Sequence, residues 1–429
     1  MTENKESQIF HYAEAFAMLP GNSELVKEFF QVRPGCFEYF DYPQYSVAIN
    51  PGRPDARFKG DRIIMAKDGS FHMIFRKKDG FTAKWGAEGE DDPTHCPWGN
   101  EIADIEITTI CHGIRGKDEN GTTNTRANCP FCYKSLTGNG SYMSLDTFKI
   151  IFDKMNQPRT MTQIAFGVDA ECITNPDVWR IMDYCIENDV TPNVTVADIT
   201  QDTAENIVKR CGACAVSCYE RNKDCCYDSI KLLVDEARRQ GRSAFKVNMH
   251  LLVSHETEKF VFEVLDDVMH DDRLKGMGAV VLLSLKQKGR GKAFKKMDDD
   301  VYRKVIFFLQ DNYIPYGSDS CGANRLTASL KEYYKDKENG DAIYQRVSSC
   351  IEPCESCMFS AYFNVDGKFF PCSFMEGEEG WKDGIDLKDG KYRNFTTQVW
   401  NHPRILEWRQ NAIRCINCNG CNQCPHYEI

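Results

Sequence analysis

Between about Ile102 and Gly317, short apolar runs alternate with amphipathic stretches, and this alternation restricts the possible folds more than any other feature of the chain. DIEITT (Asp104 to Thr109) reads as a strand, LDTFKIIFDKM as a helix, TQIAFG as a strand, and PDVWRIMDYCIEN as a helix with Pro176 in its first turn. The order continues through NVTVAD, TAENIVKRC, ACAVSC, YDSIKLLVDEARRQG, FKVNMHLLV, EKFVFEVLDDVM, AVVLLSL and VYRKVIFFLQ. Such a pattern implies an α/β fold: a parallel sheet covered by helices, open or closing toward a barrel. Six strands of this kind suit a partial (β/α)6 barrel better than a complete barrel of eight. The loops that follow the strands are then the place to look for chemistry.

A length of 429 residues exceeds one domain's usual share and predicts two or three units. There is no run of about eighteen apolar residues, and the opening MTENKESQIFHYAEAF has no basic stretch ahead of an apolar core. The expectation is therefore a cytoplasmic protein without a membrane partner. A net charge of −10, from 53 Lys and Arg against 63 Asp and Glu, argues against a general nucleic-acid binder. There is no P-loop, nucleophile elbow or internal repeat.

Against that background, 21 cysteines stand out. A disulfide framework needs an oxidising compartment, whereas clustered cysteines in a long chain without an export signal point to metal. Three groups are visible: Cys111, Cys129 and Cys132; Cys350, Cys354, Cys357 and Cys372; and Cys415, Cys418, Cys421 and Cys424. Thiolates two residues apart in a tight turn converge on one metal, in zinc ribbons and iron–sulfur sites alike. Spacing by itself leaves zinc and iron both open. Cys211, Cys214, Cys218, Cys225 and Cys226 form a looser set around a strand, where buried thiols are ordinary. Cys36, Cys96, Cys172, Cys185 and Cys321 are scattered and read as small buried hydrophobes.

Cys111 directly follows the first strand of the alternating region, and Cys129, Pro130, Phe131, Cys132 and Tyr133 close the loop before the first helix. Here the chain resembles the radical S-adenosylmethionine (radical SAM) family, whose corresponding loop reads C-x3-C-x-aromatic-C. Cys129, Phe131 and Cys132 match its end, but seventeen residues separate Cys111 from Cys129. That insert, HGIRGKDENGTTNTRAN, reads as a flexible excursion. Closure entropy grows slowly with loop length, so three thiolates can still meet on one cluster.

The family also carries G-G-E-P after its second strand. Asp169, Ala170 and Glu171 in QIAFGVDAECITNPDVW occupy that place, with Ile173 to Pro176 following. Read without the resemblance, the same residues form an acidic strand end that caps the next helix. Ser217 in AVSCYERN resembles the family's polar fourth strand, and LSLKQKGRGK resembles its Gly-Arg turn, with the backbone near Leu285 facing adenine. The resemblance implies that Cys111, Cys129 and Cys132 hold a catalytic [4Fe–4S] cluster with one iron left for S-adenosylmethionine. Phe131, Asp169, Ala170, Glu171, Ser217 and Leu285 would contact that cosubstrate.

Cys357-MFSAYFNVD-Gly367-KFFP-Cys372 reads as a hairpin with an Asp366–Gly367 turn, which brings two cysteines together. It resembles the start of the SPASM extension, an auxiliary-cluster domain of peptide-modifying radical SAM enzymes. Eight cysteines in the second and third groups suffice for two auxiliary [4Fe–4S] clusters. The three consecutive C-x2-C steps from Cys415 to Cys424 depart from the SPASM pattern and leave the ligand assignment open.

The expected domains are 1–100, an N-terminal α+β cap or recognition region; 101–318, the radical SAM barrel; and 319–429, the SPASM-like domain. HYAEAFAML and SELVKEFF read as helices, and DRIIMAKDGSFHMIFRKKDGFTAKW as strands with two Lys-Asp-Gly turns. His72 and His95 read as surface residues, and Trp85 and Trp98 as packing ones. The run from Lys286 to Lys296 reads as a solvated basic face, offset by Asp298 to Asp300. The functional expectation is hydrogen abstraction from a peptide or protein, with a flavodoxin or ferredoxin as electron donor. The alternatives are the same chemistry on a nucleoside, carbohydrate or small metabolite, or a non-catalytic zinc-ribbon interaction protein.

Overall fold

A computed structural model describes residues 38–50, 60–87, 93–118, 120–168, 171–419 and 427. The expected helices HYAEAFAML and SELVKEFF, and Cys36, Asp169, Ala170, Cys421 and Cys424, lie outside them.

The described chain begins with a five-stranded antiparallel meander: β1 (Glu38–Asp41), β2 (Tyr45–Ile49), β3 (Arg62–Ala66), β4 (His72–Arg76) and β5 (Phe81–Trp85). Its last two hairpins turn at the Lys-Asp-Gly sites, where Gly69 and Gly80 adopt φ of 76° and 75°, as tight turns of this kind favour.

The alternating region then forms parallel strands β6 (Ile102–Ile105), β9 (Gln163–Phe166), β10 (Thr191–Val196), β11 (Ala213–Cys218), β12 (Lys246–Val253), β13 (Ala279–Ser284) and β14 (Tyr316–Ser318). The loop after β6 carries its own small hairpin, β7 (Ile114–Gly116) with β8 (Thr125–Ala127). Helices α1 (Leu145–Met155), α2 (Val178–Glu187), α3 (Gln201–Arg210), α4 (Lys223–Arg239), α5 (Glu258–His270) and α6 (Asp299–Asp311) alternate with the parallel strands. Then follow α7 (Ala323–Tyr334), α8 (Gly340–Ser348), strands β15 (Ser360–Phe363), β16 (Lys368–Phe370) and β17 (Ile385–Asp386), and α9 (Pro403–Asn419).

The large sheet has the order β14-β13-β12-β11-β10-β9-β6-β15-β16-β17. Of the run DIEITT only Asp104 and Ile105 belong to β6; beyond them the Glu106 N–H donates to the Phe363 carbonyl and Thr108 forms an isolated bridge with Tyr142. The sheet also gains a seventh parallel strand, Tyr316–Ser318, too short to show a period-two signal. On the far side of β6, β15 adds in parallel, with Tyr362 opposite Asp104. The C-terminal hairpin therefore extends the same sheet.

Strand alternation divides the sheet into two faces. Val247, Met249, Leu251 and Val253 of β12 enter one core with Phe148, Ile181, Ile230 and Val305 from the helices. The opposite face carries Asp104, Gln163, Asn193, Asn248 and His250, all half-buried. Buried side chains on a strand with only one apolar face require this two-sided division.

The N-terminal sheet covers the amino ends of the parallel strands. Arg62, fully buried, donates to the carbonyls of Met161 and Asp189, just ahead of β9 and β10. Tyr45 stacks on Trp98 with ring centroids 4.2 Å apart, and Met358 and Phe359 join the same core. These contacts lie at the ends of β9 and β10 opposite the loops that follow the strands.

Two expectations need correction. His72 is buried, not on the surface: it stands on β4, which is paired on both sides, stacks on Trp85 at 5.1 Å and has Nδ1 3.3 Å from the Gly86 carbonyl. His95 is half-buried, and desolvation pushes its ring down to about 4. Among the late cysteines, Cys415 and Cys418 lie on the backbone of α9 rather than in successive tight turns. PRILEWRQNAIRCIN holds no helix breaker beyond its first residue, so the helix runs on to Asn419.

Candidate active site

Among the described residues, the insert between Cys111 and Cys129 folds back on itself as a hairpin. Ile114 pairs with Ala127, Arg115 with Arg126 and Gly116 with Thr125. Antiparallel partners lie about 5 Å apart at Cα, so the hairpin returns the chain to within a few residues of its starting point. Cys111 stands three residues before this ladder and Cys129 two residues after it. Gly113, at φ 86°, makes the closure possible: a Cβ there would lie 2.4 Å from the Ala127 carbonyl carbon and oxygen. At Gly116 a Cβ would lie 2.0 Å from the Arg221 carbonyl oxygen, so the hairpin also packs tightly on the segment after β11.

Side chains that follow the carboxyl ends of two strands, β9 and β10, hold this loop. Glu171, after β9, accepts from the His112 backbone N–H at 2.7 Å and from Arg126 Nη1 at 2.5 Å. Its Oε2 also stands 3.0 Å from His112 Nδ1. The carboxylate thus reaches the residue after Cys111 and the hairpin, and makes no helix-capping bond. Asp198, after β10, accepts from Arg115 Nε at 3.0 Å. Asn175 donates to the carbonyls of Ile107 at 2.7 Å and Met143 at 2.9 Å, fixing the chain on both sides of the loop.

The Gly-Arg-Gly turn after β13 meets the loop from the other side. Arg290 donates to the carbonyl of Cys129 from Nε at 2.8 Å and to that of Leu136 from Nη1 at 3.2 Å, while its backbone N–H donates to Cys132 at 3.0 Å. Phe131 packs on Phe294 with centroids 4.3 Å apart and faces Tyr219 at 6.2 Å. Ser217 of β11, itself buried, stands two residues before Tyr219. Burial pushes the Cys129 thiol up to about 11, so the metal-free side chain is protonated at neutral pH. Leu285 is buried behind this turn. Gly291, beside the Phe131 carbonyl, leaves no room for a side chain.

A buried polar network joins the loop to the C-terminal hairpin. Lys134 Nζ lies 3.2 Å from Glu106 and 2.9 Å from the Tyr362 hydroxyl, and also pairs with Glu376. The Tyr362 hydroxyl is 3.0 Å from Glu106 and 2.9 Å from Glu376. Burial drives the Glu106 carboxyl upward, partly opposed by Lys134. The Tyr133 hydroxyl donates to Ser373 Oγ at 3.1 Å, beside Cys372. Sequence reading passed over Arg126, Asp198, Tyr219 and this network, and it placed Lys286 and Arg290 on a solvated basic face, whereas Lys286 is buried against Asp319 and Arg290 is half-buried against the cysteine loop. The one available signal was Glu106, an acid inside the apolar run DIEITT.

In the C-terminal hairpin, Tyr362 pairs with Phe370 and Phe363 with Phe369. The turn runs through Asp366 and Gly367, whose N–H donates to the Asn364 carbonyl at 2.9 Å. Continuing the register sets Cys372 opposite Ser360, and the Cys357 N–H donates to the Ser360 carbonyl at 2.9 Å. Ser356 Oγ donates to Pro371 at 2.8 Å, so both cysteine segments lie at one end of the hairpin. Burial, partly opposed by Arg409, pushes the Cys357 thiol up to about 12. Cys350 is exposed at the end of α8. Cys211, Cys214, Cys218 and Cys226 are buried.

Among the described residues, no three His, Cys, Asp or Glu side chains gather closely enough to hold a single metal ion. A cubane imposes a different geometry, since each thiolate binds its own iron at a separate corner. No described helix is long and apolar enough to cross a membrane.

The chain matches no protein-family model and no curated protein. Similar solved structures include BtrN in complex with AdoMet and 2-DOIA, at 10% identity and TM-score 0.35, covering 72% of this chain and 86% of that one. They also include an HpcH/HpaI aldolase from Desulfitobacterium hafniense DCB-2, at 7% identity and TM-score 0.29, covering 56% and 94%. A third is the fructose-bisphosphate aldolase from Plasmodium falciparum, at 10% identity and TM-score 0.28, covering 60% and 88%.

Proposed function

We propose that this chain is a radical SAM enzyme. The observation that supports this reading best is the β7–β8 hairpin, which closes the insert and returns Cys129 and Cys132 to the loop that Cys111 begins, at the carboxyl end of β6. Three thiolates in one loop can hold a [4Fe–4S] cluster and leave one iron for the amine and carboxylate of S-adenosylmethionine. When bound, that cluster would supply one electron to the sulfonium, breaking the C5′–S bond to give methionine and a 5′-deoxyadenosyl radical that takes hydrogen from the substrate.

The chain's own residues have distinct parts in this scheme. Arg290 holds the Cys129–Cys132 turn by its carbonyls, and Glu171 orients the backbone after Cys111. Phe131, Ser217 and the backbone near Leu285 would border the cosubstrate, and Asp169 and Ala170 would complete its amine site. The half-buried polar face of the sheet would line the space a curled, partial barrel encloses. Residues 1–100, 101–318 and 319–429 are the proposed cap, barrel and SPASM-like domain. Cys350, Cys354, Cys357, Cys372, Cys415, Cys418, Cys421 and Cys424 would hold two auxiliary clusters. A flavodoxin or ferredoxin would deliver electrons, and a peptide or protein would be the substrate.

The test is anaerobic purification followed by iron and sulfide analysis and incubation with S-adenosylmethionine and dithionite. The expected product is 5′-deoxyadenosine. Cys132→Ala should abolish it while leaving the C-terminal iron bound. Zinc without acid-labile sulfide would sink the reading in favour of a zinc ribbon.

A further inference from the structure

The ten-stranded sheet ends on β14, and among the described residues no strand pairs with its outer side. The Pro315 carbonyl accepts from Val280 at 2.9 Å and the Asp319 N–H donates to Leu282 at 3.0 Å. By strand alternation, Tyr316 and Ser318 therefore turn their N–H and C=O groups toward the open edge. An unpaired edge of this kind is a template for another extended chain.

A cavity of about 630 Å³ runs along this edge. Ile314, Leu326 and Leu330 form its apolar side, and Val347 and Ile351 line it from the segment around the end of α8. Gly317 shares its face with Val281, and a Cβ there would meet nothing within 4 Å, so the space above the strand is clear. Glu352 and Glu355 also border the cavity. Glu352 is exposed and Glu355 half-buried, so two carboxyl side chains stand together at this end of the trough.

The edge also leads to the cysteine loop. Asp319, which follows β14, pairs with Lys286; the Lys286 carbonyl packs against Gly291; and Gly291 packs against the Phe131 carbonyl.

We propose that β14 is the docking edge for the substrate, taken as an extended cationic peptide. The peptide adds a strand beside Tyr316–Ser318, seats alternate apolar side chains in the trough and sets a lysine or arginine against Glu352 and Glu355. Main-chain bonds supply affinity in such strand addition, and the alternate side chains supply selectivity. The proposal rests on the radical SAM reading for what happens to the peptide once docked, but docking itself needs no cosubstrate.

The test uses the full-length, iron-loaded protein under anaerobic conditions without S-adenosylmethionine. The probe is a fluorescein-labelled decapeptide of alternating valine and lysine, followed by anisotropy. Saturable binding is expected, and N-methylation of alternate amides should weaken it at least tenfold. Amide exchange at Tyr316 and Ser318 should slow in the complex. Glu352→Lys should weaken binding severalfold, and the N-methylated peptides carry the test if that variant does not fold. Equal binding of N-methylated and unmodified peptide, or no saturable binding at millimolar peptide, overturns the proposal. Formation of 5′-deoxyadenosine without peptide binding removes the docking edge alone. Binding without any such product removes the radical reading alone.

Discussion

The Glu171 carboxylate accepts the backbone N–H of His112 at 2.7 Å, tying the end of β9 to the residue after Cys111. The same group takes Arg126 at 2.5 Å, so one acid fixes both ends of the seventeen-residue insert. Glu171→Ala leaves these donors without their acceptor, at a cost of about 1–3 kcal/mol. The expected outcomes are faster amide exchange across residues 112–128 and weaker calorimetric binding of S-adenosylhomocysteine. Unchanged exchange would show that the hairpin closes without Glu171.

Gly113→Ala tests the closure itself. An alanine at φ 86° carries a backbone penalty of about 1–2 kcal/mol, and its Cβ would collide with the Ala127 carbonyl. The expected variant keeps most of its iron but forms no 5′-deoxyadenosine. Full turnover would mean that the three thiolates do not need the hairpin.

Tyr362→Phe removes the hydroxyl shared by Glu106, Glu376 and Lys134. Buried charged groups that lose a partner cost about 1–3 kcal/mol, so the urea midpoint should fall without a change in slope. A midpoint equal to that of the parent protein would mean that Lys134 alone satisfies both acids.

Asp104→Asn gives a pH signature. Burial lifts this carboxyl from 3.8 to about 6, so the folded chain favours its protonated form. Its contribution is fully present below pH 3.8 and is lost as the pH rises to 6. At about 1.4 kcal/mol per unit, the loss is at most about 3 kcal/mol. The asparagine variant carries no such loss, and its melting temperature relative to the parent should climb between pH 4 and pH 6, then level off. A constant difference across that range would show that Asp104 ionises normally.

Arg290→Ala removes two side-chain bonds to the cysteine loop, at roughly 1 kcal/mol each. Iron should be lost from the purified variant on dilution into chelator faster than from the parent, and Arg290→Lys should restore only part of the retention. Equal retention in all three proteins would leave Arg290 no part in holding the loop.

Much of this fold was legible in local pattern. Strands and helices from β9 to α6 follow the sequence alternation, because periods of two and 3.6 residues are properties of a few neighbouring side chains. The Lys-Asp-Gly turns and the Asp366–Gly367 turn are legible for the same reason, since glycine supplies the positive φ where it stands. His72 was misread because a histidine's burial depends on the strands on either side of it, which its immediate neighbours do not encode.

By itself, then, the sequence determined the parallel α/β plan, the turn positions and the order in which cysteines appear after each strand. Only the tertiary structure decided that the insert folds back as a hairpin, that Arg290 reaches Cys129 from 161 residues away, and that β15 joins β6 in parallel. These contacts depend on surfaces that meet only when the whole sheet assembles. A short window of sequence carries the propensity of each segment but not the identity of the segment it will meet.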